Sequence, residues 1–254
     1  MRLKNLMKVA LAVAVVIAGI STAEAKKKTR ASGRATTGIT VTQSADKTYS
    51  GIVFRTFATK KKNAKMDIAF PVSGPDAVVT AMRKWILGDD YSASVASPEA
   101  MMKQRMATVG PNRDVKDMQD SISVMYANDK VITLENFDYE YYGGAHGMYG
   151  ITQATFLISD GTKLTADMLP SIEVLRPYII KAMMHDLELT RDGLRDMCFG
   201  SLELPMGIPS VTSKGLQIQY GTYEIAPFSA GAPSCVIPLS EIKSLLSPQA
   251  LRFF

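Results

Sequence analysis

A strand-like run from Lys130 to Tyr142 ends abruptly in Gly143-Gly-Ala-His-Gly147. Paired glycines occupy places where the backbone needs a positive φ, or an approach too close for a Cβ. The turn holds His146, one of the chain's two histidines, and is preceded by Tyr139, Tyr141 and Tyr142. After it, Ala154, Phe156 and Ile158 alternate with polar residues, as a half-buried strand does, and Ser159-Asp-Gly161 ends that run. A strand, a tight glycine turn and a second strand form an antiparallel connection whose tip is irregular. Within the first strand the apolar phase slips, from Ile132 and Leu134 to Phe137, Tyr139 and Tyr141. A period of two changes phase through an inserted residue, so a β-bulge is expected near Glu135-Asn136.

Other strands are expected at Ile39–Val41, Tyr49–Phe57, Met66–Phe70 and Ser121–Tyr126, around Gly215–Tyr220, and at Cys235–Ile237. Tyr223 and Ile225 continue the Gly215 run on the opposite parity, which predicts a further bulge at Gly221. Ser73-Gly-Pro-Asp76 and Ser97-Pro-Glu-Ala100 read as helix starts. Val78, Met82, Trp85 and Ile86 share a face in the first helix, and Met101, Met102 and Met106 are carried by the second. The longest helix is expected over about Val174–Leu189, with Pro177 in its first turn. A short piece follows over Thr190–Met197, and a final helix over Pro238–Leu246. Strands and helices segregate instead of alternating, so the class is α+β with a mainly antiparallel sheet, a small N-terminal subdomain preceding a larger one.

The N-terminus sets the expected compartment. Arg2, Lys4 and Lys8 precede the apolar run Val9–Ile20, and Ser21-Thr-Ala-Glu-Ala25 ends in a small-x-small site. This is the pattern of a signal peptide cleaved after Ala25, with an apolar core too short to span a bilayer. Export to the periplasm or beyond is expected, with no stable membrane insertion after cleavage. Residues 26–36 read as a disordered basic leader, 37–118 as the small subdomain, and 119–254 as the larger domain. The net charge of +5 is concentrated at the front: from residue 35 onward, 21 Lys and Arg face 23 Asp and Glu. The folded body is therefore slightly acidic, which argues against nucleic acid as a partner.

Cys198 and Cys235 are the only cysteines. In an oxidising compartment they are a candidate disulfide, which would stabilise by about 3–4 kcal/mol. Two cysteines and two histidines without paired spacing offer no metal site, and no cofactor is expected. There is no Gly-x-Ser-x-Gly elbow and no His-Glu-x-x-His helix. A hydrolase reading would rest on His146 with Asp138 or Glu140. Against it stands a non-catalytic reading, in which tyrosine faces and an imidazole at the tip grip a ligand.

Three segments in order, Tyr142-Gly-Gly-Ala-His-Gly147, Thr155-Phe-Leu-Ile-Ser-Asp-Gly-Thr-Lys-Leu164 and Tyr223-Glu-Ile-Ala-Pro-Phe-Ser-Ala-Gly231, resemble a bacterial extracytoplasmic domain of unknown function. That domain forms the C-terminal part of lysozyme-sensing anti-sigma factors and accompanies the catalytic domain of a peptidoglycan deacetylase. The resemblance covers about residues 120–246. It implies an exported, non-enzymatic binding module whose partner is an envelope protein, such as lysozyme, or a cell-wall glycan. Tyr139, Tyr141, Tyr142, Gly143, Gly144 and His146 are the candidate ligand-binding residues.

Overall fold

In the computed structural model, residues 39–88 and 97–254 are described; the expected signal peptide and basic leader lie outside them. Short strands β1 (Thr42–Gln43) and β2 (Lys47–Tyr49) lead into β3 (Ile52–Lys61) and β4 (Ala64–Ser73), joined by a two-residue turn. Helices α1 (Asp76–Leu87) and α2 (Pro98–Thr108) follow, then β5 (Asp117–Ala127), β6 (Val131–Tyr141) and β7 (Met148–Leu157). The C-terminal part holds α3 (Ile172–Asp186), α4 (Arg191–Met197), β8 (Ile208–Thr212), β9 (Gly215–Gln219), β10 (Ser234–Pro238), α5 (Leu239–Ile242) and α6 (Pro248–Leu251).

The first seven strands form one sheet in the order β1-β3-β4-β5-β6-β7, with β2 also paired to β3. Every pairing is antiparallel except β4 with β5, whose parallel register needs the crossover that α1 and α2 supply. A second, three-stranded antiparallel sheet runs β10-β9-β8. The expected α+β class is what is found. The division expected between residues 118 and 119 falls at the start of β5, which pairs with β4 on one side and β6 on the other.

Two cores account for the patterning. One lies between α1, α2 and the first sheet, and buries Val78, Met82, Met102 and Met106 against Met66, Ile68 and Leu134. The other gathers α3, α4, the second sheet and the chain end around Leu175, Ile179, Leu216, Tyr220 and Phe253. Strand β6 serves both. Val131, Ile132, Thr133 and Leu134 are all buried, because both faces of that end are covered. This explains the phase slip without a bulge. The register of β6 with β7 is unbroken from Val131 to Glu140, and the irregularity lies instead on β5, between Val124 and Tyr126. Even-numbered side chains of β6 face α1 and α2, and odd-numbered ones face the other way.

On the odd face, the second sheet meets the first through hydroxyls. Thr133 donates to the Val211 carbonyl at 2.8 Å, and the Val211 N–H donates to Thr155 Oγ1 at 2.9 Å. The two threonine hydroxyls lie 2.9 Å apart, and Ser210 donates to Gln153 Oε1 at 2.6 Å. The outer edge of β8, an unsatisfied row in isolation, is thus capped by side chains of β6 and β7.

Other expectations are corrected. Cys198 and Cys235 are free thiols, not a disulfide. Each packs as a small apolar group in the second core, one at the end of α4 and one on β10. Burial raises both thiol pKa values, that of Cys235 to about 12, which leaves little thiolate to react. Pro177 lies beyond the first turn of α3, inside the helix. No side chain caps α1, whereas Ser97 accepts from the Ala100 N–H and caps α2 as expected. The final helix is broken into α5, a 3-10 turn over Lys243–Leu245, and α6. Tyr223 stands in a turn at φ 66°, so no strand resumes after Gly221.

Candidate functional site

The β6–β7 connection is shaped by its three glycines for two different reasons. Gly143 and Gly144 have φ of 108° and 100°, which a side chain disfavours. Gly147 is needed for space, since a Cβ there would lie 2.4 Å from the Tyr139 ring. Tyr141 donates its hydroxyl to the Gly144 carbonyl at 2.9 Å and braces the turn from below. Tyr142 is 55% exposed, and its hydroxyl donates to the Glu140 carboxylate. That hydrogen bond raises the phenol pKa. His146 Nδ1 lies 2.9 Å from the Gly147 carbonyl. A carbonyl only accepts, so Nδ1 carries a proton.

The histidine does not stand alone. Its ring stacks on Phe228 with centroids 4.1 Å apart and planes at 19°. Phe228 opens a 3-10 turn, Phe228–Ala230, in the loop between β9 and β10. Gly231 ends that turn at φ 76°, where a Cβ would meet the Tyr149 hydroxyl at 2.8 Å. Tyr149 packs edge-on against Phe228 at 5.8 Å and stacks on Phe137 at 6.0 Å, while Tyr223 tilts over Phe228 at 5.6 Å. Thr222 ties this loop to β7 by donating its hydroxyl to the Tyr149 carbonyl at 3.0 Å. The glycine turn and the Tyr223–Gly231 loop, far apart in sequence, thus form one aromatic surface. A groove of about 290 Å³ is lined in part by Gln153, Lys163, Met206 and Glu224, and by none of these aromatic rings.

Of the candidate residues, His146 lies at the centre of this surface, Tyr139 and Tyr141 support the turn, and the exposed Tyr142 turns away to Glu140 and the Arg105 side of the sheet. Phe228, Tyr223, Tyr149 and Phe137 were not among the candidates. The Tyr223–Gly231 segment was visible as a motif, but its contact with His146 depends on how the second sheet docks.

Asp138 and Glu140 go elsewhere. Their even positions put them on the face of α1 and α2, opposite Phe137, Tyr139 and Tyr149. There Arg105 of α2 pairs with Glu140 at 3.2 Å and with Asp120 of β5 at 3.1 Å. Asp120 and Asp138 are direct cross-strand partners. Desolvation raises the Asp120 pKa to about 6 despite the opposing pull of Arg105, with Asp138 and Glu140 adding to the rise. Desolvation also raises Asp138. The ion pair loses to burial here because Arg105 is 41% exposed and shared with Glu140, whereas the Asp120 side chain is only 5% exposed. Among the described residues, no group of three or more His, Cys, Asp or Glu side chains is placed to hold a metal ion. No described helix is long and apolar enough to cross a membrane.

The geometry defines an α+β module that presents an aromatic surface where two loops meet. Residues 162–240 match a family described as proteins of unknown function, DUF3298. The matched stretch lies within the span of the sequence resemblance and includes the Phe228 loop, whereas the His146 turn precedes it. Two crystal structures share the fold. One is a DUF3298 family protein from Pseudomonas aeruginosa PAO1, with 19% identity, a TM-score of 0.57, and coverage of 84% of this chain and 95% of that one. The other is a member of the same family from Bacteroides fragilis NCTC 9343, with 16% identity, a TM-score of 0.60 and the same coverage of 84% and 95%. No curated protein matches the chain.

Proposed function

We propose that this chain is a non-catalytic binding module, exported to the periplasm or beyond, whose ligand is a cell-envelope component: a lysozyme-like protein or a peptidoglycan glycan. The observation that carries this reading is the convergence of His146, Phe228 and Tyr223 from two loops into one aromatic surface. Aromatic faces with a polar rim suit a sugar ring or the edge of a protein. The His146 imidazole and the Tyr223 hydroxyl would fix orientation. The slightly acidic body favours a basic partner, in association rate more than in affinity. A hydrolase built on His146 with Asp138 or Glu140 finds no support in this geometry, since the carboxylates lie on the opposite face of the sheet.

Purified wall fragments and lysozyme, each immobilised, should capture the wild-type protein. Capture should fall sharply for Tyr142→Ala/His146→Ala, with thermal unfolding preserved. Undiminished capture by the double variant would remove the tip as the binding surface. Turnover of wall fragments by the wild type, lost in His146→Ala alone, would overturn the non-catalytic reading.

A further inference from the structure

On the face of the first sheet opposite the aromatic surface, α1 and α2 leave a cavity of about 140 Å³, lined in part by Trp85, Met101, Arg105, Asp120, Asn136 and Thr152. We propose that this cavity binds a primary ammonium group carried on a short alkyl arm. It is a site distinct from the tip, and its argument does not depend on the function proposed there.

Three observations converge. First, Asp120 is 4% exposed and meets Arg105 Nε at 3.1 Å, yet its carboxylate accepts no well-formed hydrogen bond from any described residue. Among the described residues no fully buried side-chain oxygen is left without a partner, so the part of this carboxylate that Arg105 does not meet opens on the cavity, where a donor would offset its desolvation. Second, the side chains of Asn136 and Thr152 make no hydrogen bond to a described residue, so acceptors from β5, β6 and β7 line one small space. An ammonium carries three donors and matches such a set. Third, one guanidinium faces the three carboxylates Asp120, Asp138 and Glu140, which leaves excess negative charge. That excess selects a cation over an anion, and Trp85 and Met101 offer an aromatic ring and a thioether to an alkyl stem. The volume equals that of about four to five waters, enough for a four-carbon arm.

The arm could come from a free amine or from a lysine side chain of a partner, and the experiment separates these sources. Trp85 is the only tryptophan in the chain, so its fluorescence reports on this cavity. Titration of the full folded protein with n-butylammonium at pH 8 should change the emission saturably, while 1-butanol should not. The isosteric Asp120→Asn and, separately, Asp138→Asn should weaken the response, the former by at least about tenfold. Affinity should also fall as the pH drops below about 6, where Asp120 takes up a proton; Arg105 from α2 and Asp138 and Glu140 from β6 are the charges that face it. Saturation by butylammonium but not by Nα-acetyl-lysine amide assigns the site to a free amine, and saturation by both assigns it to an arm that a partner can insert. No saturable change in the wild type, an equal response to 1-butanol, or full retention in a folded Asp120→Asn would overturn the proposal.

Discussion

Phe253→Ala is expected to reduce unfolding stability by about 3–5 kcal/mol, the loss typical of deleting a fully buried phenylalanine. Chain ends normally fray and tolerate truncation unless something ties them down. Here Phe253 is 0% exposed, the second residue from the end, and part of the core formed by α3, α4 and the second sheet. The approach to it is anchored step by step. Ser247 caps α6 by accepting from the Ala250 N–H at 3.1 Å and donates to the Met168 carbonyl at 3.3 Å. Arg252 pairs with Asp160, and Lys130 donates to the Phe254 carbonyl. The surface ion pairs contribute little by themselves. They hold the segment so that the ring fills its site, and the ring supplies the stabilisation through buried area and packing. Denaturant titration gives the comparison directly. A loss below about 1 kcal/mol would mean that the core closes without the Phe253 ring.

Asp120→Asn should act in the opposite direction and only in part of the pH range. The folded-state pKa of Asp120 is raised to about 6 from the ordinary 3.8, chiefly by burial, with Arg105 opposing and Asp138 and Glu140 reinforcing. The folded protein therefore binds more protons than the unfolded chain between those values. The associated stability is fully present below about pH 4 and is lost as the pH rises through about 6. A rise of about two pKa units corresponds to about 3 kcal/mol. The neutral amide of the variant escapes this loss. Its stability should match or trail the wild type at pH 4 and exceed it by about 1–3 kcal/mol at pH 8, with Arg105 still paired to Glu140 and partly solvated. Denaturant midpoints at the two pH values test this. A variant less stable than the wild type at pH 8 would mean that the Asp120–Arg105 pair outweighs its desolvation.

What the sequence revealed, and what it hid, divides along the range of the physics involved. The turn at Gly143-Gly-Ala-His-Gly147 was legible because positive φ is a property of one residue. The capping serine of α2 was legible for the same local reason, whereas the half-buried alternation expected of β7 fails, since Gln153 to Leu157 are all buried. Strand β6 misled because the period-two rule assumes one buried face, whereas Ile132 and Leu134 serve one core and Val131 and Thr133 the other. The disulfide expectation failed because two sparse cysteines say nothing of where each side chain packs, and both turned out to fill a core. The contact of His146 with Phe228 was hidden more deeply. It joins residues more than eighty positions apart and depends on how the edge of β8 docks on Thr133 and Thr155. The Asp120–Asp138 pairing likewise appears only once the β5–β6 register is known.

The most direct test of the tip as the ligand-binding surface is the affinity of Phe228→Ala, relative to the wild type, for the wall fragment or lysozyme that the wild type captures. Phe228 touches His146, Tyr149 and Tyr223 at once, so its removal separates the rings while leaving both cores intact. The expected result is an affinity lower by about 30-fold or more, the cost of removing a central aromatic hot spot, with an unchanged unfolding midpoint. Wild-type affinity in a folded Phe228→Ala protein would contradict the assignment.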